Sequence, residues 1–203
     1  MFMEPSSPSD MRSHILNEAA RLFVIRGYDG ISMREIAASC HISKPGLYYY
    51  FVDKEDLFLA ILESSLEELT ALISEATSQP GGTPQKLGFL IHAIFTRLPM
   101  ERRALIRLAA QEMNKLSPQK RESFSSRYHA TFIDGIADIL RSGIQKKELR
   151  SVDPEMATWA FLGMMYPFFS ATGSPRFDET AVVHFLLDTF LNGLSPQTGE
   201  QRE

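Results

Sequence analysis

The sequence predicts an all-α protein of about nine helices. Along most of the 203 residues, apolar side chains recur three and four positions apart, which is the spacing of one helix face. No segment shows a convincing strand pattern of alternating apolar and polar residues, and no internal repeat is visible. Helix start signals separate the periodic segments and set their order along the chain.

The first predicted helix runs from Met11 to Arg26 and ends at Gly27, a residue that suits the left-handed conformation beyond a helix end. A short second helix is predicted from Ser32 to about Ser39, because Ser32 and Glu35 have the spacing of a capping box. Residues 1–10 are expected to form a disordered tail.

Later helices are indicated mainly by residues that are typical of helix starts and helix ends. Ser117 and Asp153 each precede a proline, so each is expected to be the N-cap of a helix. The last helix is predicted from about Phe177 to Asn192, with its end at Gly193. Residues 194–203 are expected to form a second disordered tail.

The composition limits the classes of function. With 44% hydrophobic and 23% charged residues, the chain is an ordinary globular protein, and its net charge of −4 confines any nucleic-acid binding to a local surface. The single cysteine, Cys40, excludes an intramolecular disulfide and suits a reducing cytoplasm. We see no secretion signal and no apolar run near the roughly 20 residues that cross a bilayer, so we expect a cytoplasmic protein without a membrane segment.

The stretch "HISKPGLYYYF" predicts a tight turn at residues 40–42 followed by a short helix. Ser43 can cap that helix, and Pro45 is tolerated in the first turn because the backbone N–H groups there have no helical partner. At about 100° per residue, the side chains of this helix fall on an inner and an outer side. The inner side carries Leu47, Tyr50 and Phe51, and the outer side Lys44, Pro45, Tyr48 and Tyr49. This arrangement is typical of a helix-turn-helix whose second helix enters the major groove of DNA.

The outer side of this helix has the chemistry for DNA contact with little charge. A tyrosine hydroxyl can donate to a phosphate oxygen, and Lys44 can reach guanine acceptors while Pro45 touches a thymine methyl. Tyrosines on a helix are, however, more often half-buried packing residues. Between Ser32 and Lys54 the basic residues exceed the acidic ones by only one, so charge alone favours DNA weakly. The hypothesis therefore depends on the order of residues in the motif.

From Ile15 to Phe58, the sequence resembles the DNA-binding domain of the TetR family of bacterial transcriptional regulators. The resemblance is carried by "LF…RGY", "ISMREIA", "ISKPGLYYYF" and "DKEDLF" and covers roughly the N-terminal quarter of the chain. It implies an N-terminal three-helix DNA-binding domain, which we place at 11–56, and a C-terminal helical domain for effector binding and dimerisation at 57–193.

The resemblance also implies which residues contact DNA. Residues that match Ser32, Arg34 and Lys54 lie at the phosphate backbone in the family. Residues of the recognition helix that face the groove or its walls match Ser43, Lys44, Pro45, Gly46, Tyr48 and Tyr49.

Three positions depart from the family pattern. The turn usually has a small residue and a glycine where this chain has Cys40 and His41, so His41 is expected to adopt a positive φ. Gly46 stands where the family often has a hydroxylated or small residue. These departures leave the predicted fold unchanged and make the base sequence of an operator harder to infer.

The C-terminal region predicts a homodimer. The stretch from Trp159 to Phe169 is hydrophobic all round, which indicates burial on every side, and Pro167 predicts a kink or an early helix end. With the last helix it predicts a two-fold, four-helix interface; the core of a monomer is the alternative. The candidate interface residues are Phe168, Phe169, Val183, Leu186, Leu187 and Phe190.

An apolar, aromatic-lined pocket for a small-molecule effector is predicted on the middle helices. Its candidate residues are Phe89, His92, Phe124, Tyr128, Phe132, Trp159, Phe161 and Met165. His92 and Tyr128 are the candidates for polar contacts, and ordinary core packing is the alternative for each of the eight.

No enzyme is predicted, because the sequence lacks the nucleophile elbow, phosphate-binding loop, dinucleotide-binding and zinc-protease motifs. The histidines lack metal-ligand spacing, so we predict no metal site and no cofactor. We predict a dimeric repressor that binds a palindromic operator in double-stranded DNA and is released by a small effector. The alternative is a protein of the same fold that binds a small molecule or a partner without operator recognition.

Overall fold

The computed structural model describes residues 7–169 and 178–194, and within these ranges the chain is helical and has no strand. The predicted all-α class is confirmed. The α-helices are α1 (Pro8–Arg26), α2 (Met33–Ser39), α3 (Lys44–Tyr50), α4 (Lys54–Ser78), α5 (Thr83–Arg97), α6 (Met100–Glu112), α7 (Pro118–Tyr128), α8 (Asp134–Gln145), α9 (Pro154–Met165) and α10 (Glu179–Leu194).

Short turns of other helix types extend three of these helices. A π-helical turn at His129–Ile133 joins α7 to α8 without a break. Turns of 3₁₀-helix follow α6 at Met113–Lys115 and α9 at Tyr166–Phe168. Because α7 and α8 are continuous, the described residues form nine separate helices, as the sequence predicts.

The chain forms two compact units that are not continuous in sequence. The first contains the residues up to Ser65 together with Met100–Phe124, and the second contains Leu66–Pro99 with the residues from Ser125 onward. The first unit includes α6 because that helix packs along α1. These units therefore differ from the division at residues 56 and 57, which stays a prediction about function.

In the first unit, local hydrogen bonds set the helix ends. The Ser7 hydroxyl accepts a hydrogen bond from the Asp10 N–H at 3.2 Å, so α1 begins at Pro8. Residues 8–10, which we expected in a disordered tail, are thus helical, and residues 1–6 lie outside the described residues. Gly27 has a φ of 73°, as its position after α1 predicts. The core of this unit includes Ile15, Ala19, Phe23, Ile36, Leu47, Phe51, Leu57 and Phe58.

In the second unit, α5 packs against α8 and α10, and α9 packs against α8 and α10. The Asp153 carboxylate caps α9 by accepting from the Met156 N–H at 2.8 Å, which confirms the predicted start. The α-helix ends at Met165, two residues before Pro167, as the sequence predicts. The core of this unit includes Leu87, Leu90, Ile91, Ile94, Ile136, Leu140, Phe161, Leu162, Leu186 and Phe190.

The end of α10 differs from the prediction. Gly193 lies inside the helix, which continues to Leu194. Arg150 caps the last turn: its backbone N–H donates to the Leu194 carbonyl at 2.9 Å and its side chain to the Gly193 carbonyl at 3.0 Å. A distant residue thus satisfies carbonyl groups that the helix leaves without partners. Phe177 and the tail beyond Leu194 lie outside the described residues.

No helix in the described ranges combines the length and the apolar character needed to cross a membrane.

Candidate DNA-binding surface

The start of α2 is fixed by a capping box. The Ser32 hydroxyl accepts from the Glu35 N–H at 3.3 Å, and the Glu35 carboxylate accepts from the Ser32 N–H at 2.9 Å and from its hydroxyl at 2.6 Å. Arg26 also donates to this carboxylate at 2.9 Å. The hydrogen bonds from Ser32, followed by that from Arg26, lower the pKa of Glu35 to about 2. Glu35 is therefore a bound carboxylate at neutral pH.

The turn between α2 and α3 has the geometry that the sequence predicts. His41 has a φ of 57°, in the left-handed region. Its N–H donates to the Ala38 carbonyl at 3.1 Å, and the Ile42 N–H donates to the Ala37 carbonyl at 3.0 Å. These bonds satisfy carbonyl groups at the end of α2 and redirect the chain into α3 within three residues.

The recognition helix α3 has one buried and one exposed side. The Ser43 hydroxyl caps it by accepting from the Gly46 N–H at 3.1 Å. Leu47 is fully buried, whereas Tyr48 is 42% exposed and Tyr49 is 81% exposed. Tyr50 is half-buried, with its ring packed edge-on against Tyr49 at 5.1 Å. The predicted two-sided helix is confirmed.

An open cleft of about 490 Å³ lies beside α3. Its lining includes five of the nine residues predicted to contact DNA, namely Ser32, Arg34, Lys44, Tyr48 and Lys54. The remaining lining residues are Asp29, Gly30, Ile31, Met33 and Glu35. The other four predicted residues, Ser43, Pro45, Gly46 and Tyr49, lie on α3 or at its N-cap. The fold therefore gathers all nine predicted residues in the first unit.

Two cations of the cleft rest on aromatic rings. The Lys54 ammonium lies 4.4 Å from the centre of the Tyr28 ring, and the Lys44 ammonium lies 5.7 Å from the centre of the Tyr48 ring. Desolvation lowers the pKa of Lys54, while the carboxylates of Asp29 and Glu35 act in the opposite direction. Ring faces attract cations without neutralising them. Both lysines thus keep a charge that a polyanion can use.

Both carboxylates of the cleft have cationic partners. Asp29 is bound by the Lys115 ammonium, and Glu35 is bound by Arg26 and Ser32. The hydrogen bond from Lys115 lowers the pKa of Asp29. Because each carboxylate already accepts from a neighbour, its repulsion of an approaching phosphate is reduced. The arrangement can bind a phosphate backbone at the cleft while Tyr48 and Tyr49 face outward.

The sequence reasoning missed three residues at or next to this cleft: Asp29 lines it, and Tyr28 and Lys115 contact its lining residues Lys54 and Asp29. Tyr28 and Asp29 stand in the stretch "RGYDG", whose "RGY" part carried the family resemblance without assigning either residue a role. Lys115 lies in the 3₁₀ turn after α6, far from the motif in sequence. No sequence signal pairs Lys115 with the motif, because only the packing of α6 on α1 brings Lys115 near Asp29.

Comparison with known proteins agrees with this geometry. Residues 15–61 match the family model described as bacterial regulatory proteins of the tetR family. Residues 82–194, more than half of the chain, match the tetracyclin repressor-like C-terminal domain. The chain belongs to the TetR family.

Individual TetR-family relatives differ in how much they share with this chain. The transcriptional regulator AcrR of Shigella flexneri is 34% identical over 99 residues, which are 48% of this chain and 46% of AcrR, so the chain spans less than half of that relative. The crystal structure of the regulator PfmR from Thermus thermophilus has a TM-score of 0.76 and 27% identity, with 90% of this chain and 99% of PfmR covered.

A further solved TetR-fold structure contains both a small-molecule ligand and operator DNA. AibR in complex with isovaleryl coenzyme A and operator DNA has a TM-score of 0.73 and 26% identity, with 92% of this chain and 98% of AibR covered. AcrR, PfmR and AibR are thus described as regulators or as DNA complexes and not as enzymes.

The effector-pocket candidates of this TetR-family chain are distributed over the fold. Phe124 belongs to the first unit and the other seven to the second. Phe124, Phe132, Phe161 and Met165 are buried, Phe89 and Tyr128 are half-buried, and His92 and Trp159 are exposed.

Only some of these candidates contact each other. The rings of Tyr128 and Phe132 lie 5.3 Å apart, whereas Phe161 packs on Phe190 at 5.0 Å. Burial, followed by the charge and hydrogen bond of Tyr166, raises the pKa of Tyr128. Tyr166, which our sequence reasoning did not include, is therefore the polar neighbour of Tyr128.

The six candidates for a dimer interface lie mostly inside the second unit. Phe169, Val183, Leu186 and Phe190 are buried there, while Phe168 and Leu187 are half-buried. The same region has exposed apolar side chains at other positions: Met156 at 73%, Trp159 at 41% and Phe185 at 60%. Among the described residues there is no group of three histidine, cysteine, aspartate or glutamate side chains that could hold a metal ion.

Proposed function

We propose that this TetR-family regulator binds a palindromic operator as a homodimer, represses the adjacent promoter and is released by a small, largely apolar or aromatic effector. The observation that carries operator binding is the cleft beside α3. There, Lys44 and Lys54 rest on rings, both carboxylates are engaged, and Tyr49 stands 81% exposed on the recognition helix. Hydroxyl and ammonium donors on one surface suit a phosphate backbone and the edges of bases.

The test of operator binding is selection of bound sequences from random duplex DNA by the purified protein, with Tyr49→Ala beside it. Ile25→Ala is the matched control, because Ile25 is 57% exposed on α1 and does not line the cleft. We expect the wild type and Ile25→Ala to enrich the same palindrome and Tyr49→Ala to enrich it weakly. If none of the three enriches a sequence, even after any bound small molecule is extracted, the protein of the same fold without operator recognition becomes the better proposal.

The dimer is proposed to form through the exposed side of α9 and the adjoining part of α10. Met156, Trp159, Ala160 and Gly163 follow the i, i+3, i+4, i+7 spacing on α9, and all four are exposed. A side chain added at Gly163 would meet nothing within 4 Å, so this position leaves room for the close approach of another helix. An exposed apolar stripe on a surface helix supports this proposal, because such stripes are commonly buried against a second copy of the chain.

Effector release requires a ligand that binds the two conformations of the dimer unequally. The structure named AibR with isovaleryl coenzyme A and operator DNA supports the inclusion of acyl-coenzyme A thioesters among the effectors tested. The experiment is displacement of fluorescent operator by a panel of acyl thioesters and uncharged aromatic compounds. Release by one class, with no effect of free coenzyme A, would define the effector; release by none would remove this part of the proposal.

A further inference from the structure

The Tyr28 ring is a fixed platform in the first unit. It stacks on Phe23, with ring centres 5.7 Å apart and planes 10° from parallel, and it meets Phe58 edge-on at 5.2 Å. Phe23 and Phe58 are fully buried. Two buried rings in contact with a third leave it few orientations, since aromatic side chains have only two rotatable bonds.

The ammonium of Lys54 lies over the Tyr28 ring. Lys54 is the first residue of α4, a helix of 25 residues, and its ammonium lies 4.4 Å from the centre of the Tyr28 ring. A cation is electrostatically disfavoured at a helix N-terminus, where the macrodipole is positive. The helix alone therefore gives no reason for a lysine at this position, whereas the ring face offers a compensating attraction.

The neighbouring carboxylate does not take this role. Asp29 follows Tyr28 in the chain and lines the same cleft as Lys54, yet its carboxylate is bound by Lys115. The Lys54 ammonium therefore faces the neutral ring, and the carboxylates of Asp29 and Glu35 add a Coulombic attraction to this contact. An ammonium has three donors, so one side can face the ring while the others bind an incoming oxygen.

We propose that Tyr28 is a positioning residue for the contact of Lys54 with a DNA phosphate. The inference rests on the proposed operator binding and adds a residue that the motif does not assign. A free lysine side chain loses rotational freedom when it binds a phosphate, and that loss opposes binding. Because the fixed ring already restricts the Lys54 side chain, less freedom is lost in the complex.

The test is a double-mutant cycle on operator affinity with Tyr28→Leu, Lys54→Ala and the double variant, using the operator from the selection above. We expect Lys54→Ala to lower the slope of log K against log salt by about 1 per subunit, as for a lost phosphate contact. Tyr28→Leu should weaken binding by about two- to fivefold per subunit, the range for an exposed cation–π contact. In the Lys54→Ala background, Tyr28→Leu should have no further effect.

Tyr28→Phe is the matched control, because it keeps the ring and removes the hydroxyl. We expect it to bind like the wild type, and ring-fluorinated phenylalanines at position 28 to bind more weakly as fluorine number rises, since fluorine weakens the ring's attraction for a cation. The fluorinated series keeps the shape of the ring and so answers the question even if Tyr28→Leu does not fold.

Three results would overturn the inference. Additive effects in the cycle would mean that Tyr28 acts independently of Lys54. Equal losses in Tyr28→Phe and Tyr28→Leu would assign the effect to the hydroxyl. Unchanged affinity in Lys54→Ala would remove the phosphate contact itself; if the operator is still bound, the positioning role fails while the proposed function stands.

Discussion

The Asp29 carboxylate is bound by the ammonium of Lys115, a residue 86 positions later in the chain. Asp29 lines the cleft that also contains Lys54. The ion pair therefore gives the Asp29 carboxylate, which lies next to the proposed phosphate site, Lys115 as its partner. A released carboxylate would attract Lys54 and repel phosphate.

We expect Lys115→Ala to weaken operator binding by about three- to tenfold, the effect of removing a cation and releasing a neighbouring carboxylate. Asp29→Asn in the same variant should restore most of the affinity, because it removes the released charge. Fluorescence anisotropy with labelled operator at one fixed salt concentration measures both effects. If Asp29→Asn fails to restore binding, Lys115 contributes through its own charge and not through Asp29.

The left-handed conformation of His41 predicts a stabilising substitution. This residue has a φ of 57°, which is unfavourable for a side chain with a Cβ atom and free of strain for glycine. We expect His41→Gly to raise the free energy of unfolding by up to about 1 kcal/mol. Ala38→Gly, at an exposed position inside α2, is the control and should lower it by about 0.5–1 kcal/mol. Urea unfolding followed by circular dichroism measures the free energy of unfolding of both variants. Equal decreases in the two variants would contradict the prediction.

The capping box at Ser32 predicts a stability term that depends on pH. Because the folded pKa of Glu35 is lowered to about 2, its ionised form stabilises the folded state above the unfolded pKa and loses this effect as pH decreases from about 4.5 towards 2. We expect the wild type to exceed Glu35→Gln in free energy of unfolding at pH 6, and the difference to narrow below pH 4.5. In a Ser32→Ala background the difference should be smaller throughout, since the largest cause of the pKa shift is gone. A difference that is independent of pH would show that the charge of Glu35 does not matter.

The exposed stripe on α9 predicts the dimer contact. Gly163→Arg places a bulky cation on both copies at a position that is open in the single chain, and we expect the dissociation constant of the dimer to rise about tenfold or more. Ala71→Arg, on the exposed side of α4, is the control for an added arginine and should leave the dimer intact. Sedimentation equilibrium over a range of concentrations distinguishes them. An unchanged dimer in Gly163→Arg would exclude this side of α9 from the interface.

The sequence predicted the helix-turn-helix well because its signals are local. The capping box at Ser32 and Glu35 and the cap at Ser43 each act through hydrogen bonds within three residues, so their spacing alone sets where α2 and α3 begin. The predictions of where α1 begins and where α10 ends were less accurate. Ser7 caps α1 from within a polar segment that the sequence predicts to be disordered, and Arg150 caps α10 from another part of the chain.

The sequence by itself determined the helical class and the two sides of α3, because helix periodicity places side chains without reference to the rest of the chain. The nine residues of the candidate DNA-binding surface came from the resemblance of the local motif to the TetR family. Only the tertiary structure decided that the Lys54 ammonium lies over the Tyr28 ring and that the Lys115 ammonium binds the Asp29 carboxylate. It also decided which interface candidates belong to the core of the second unit, namely Phe169, Val183, Leu186 and Phe190. These relationships join residues from different helices and turns. Their distances depend on how the helices pack, and a spacing along the chain does not contain that information.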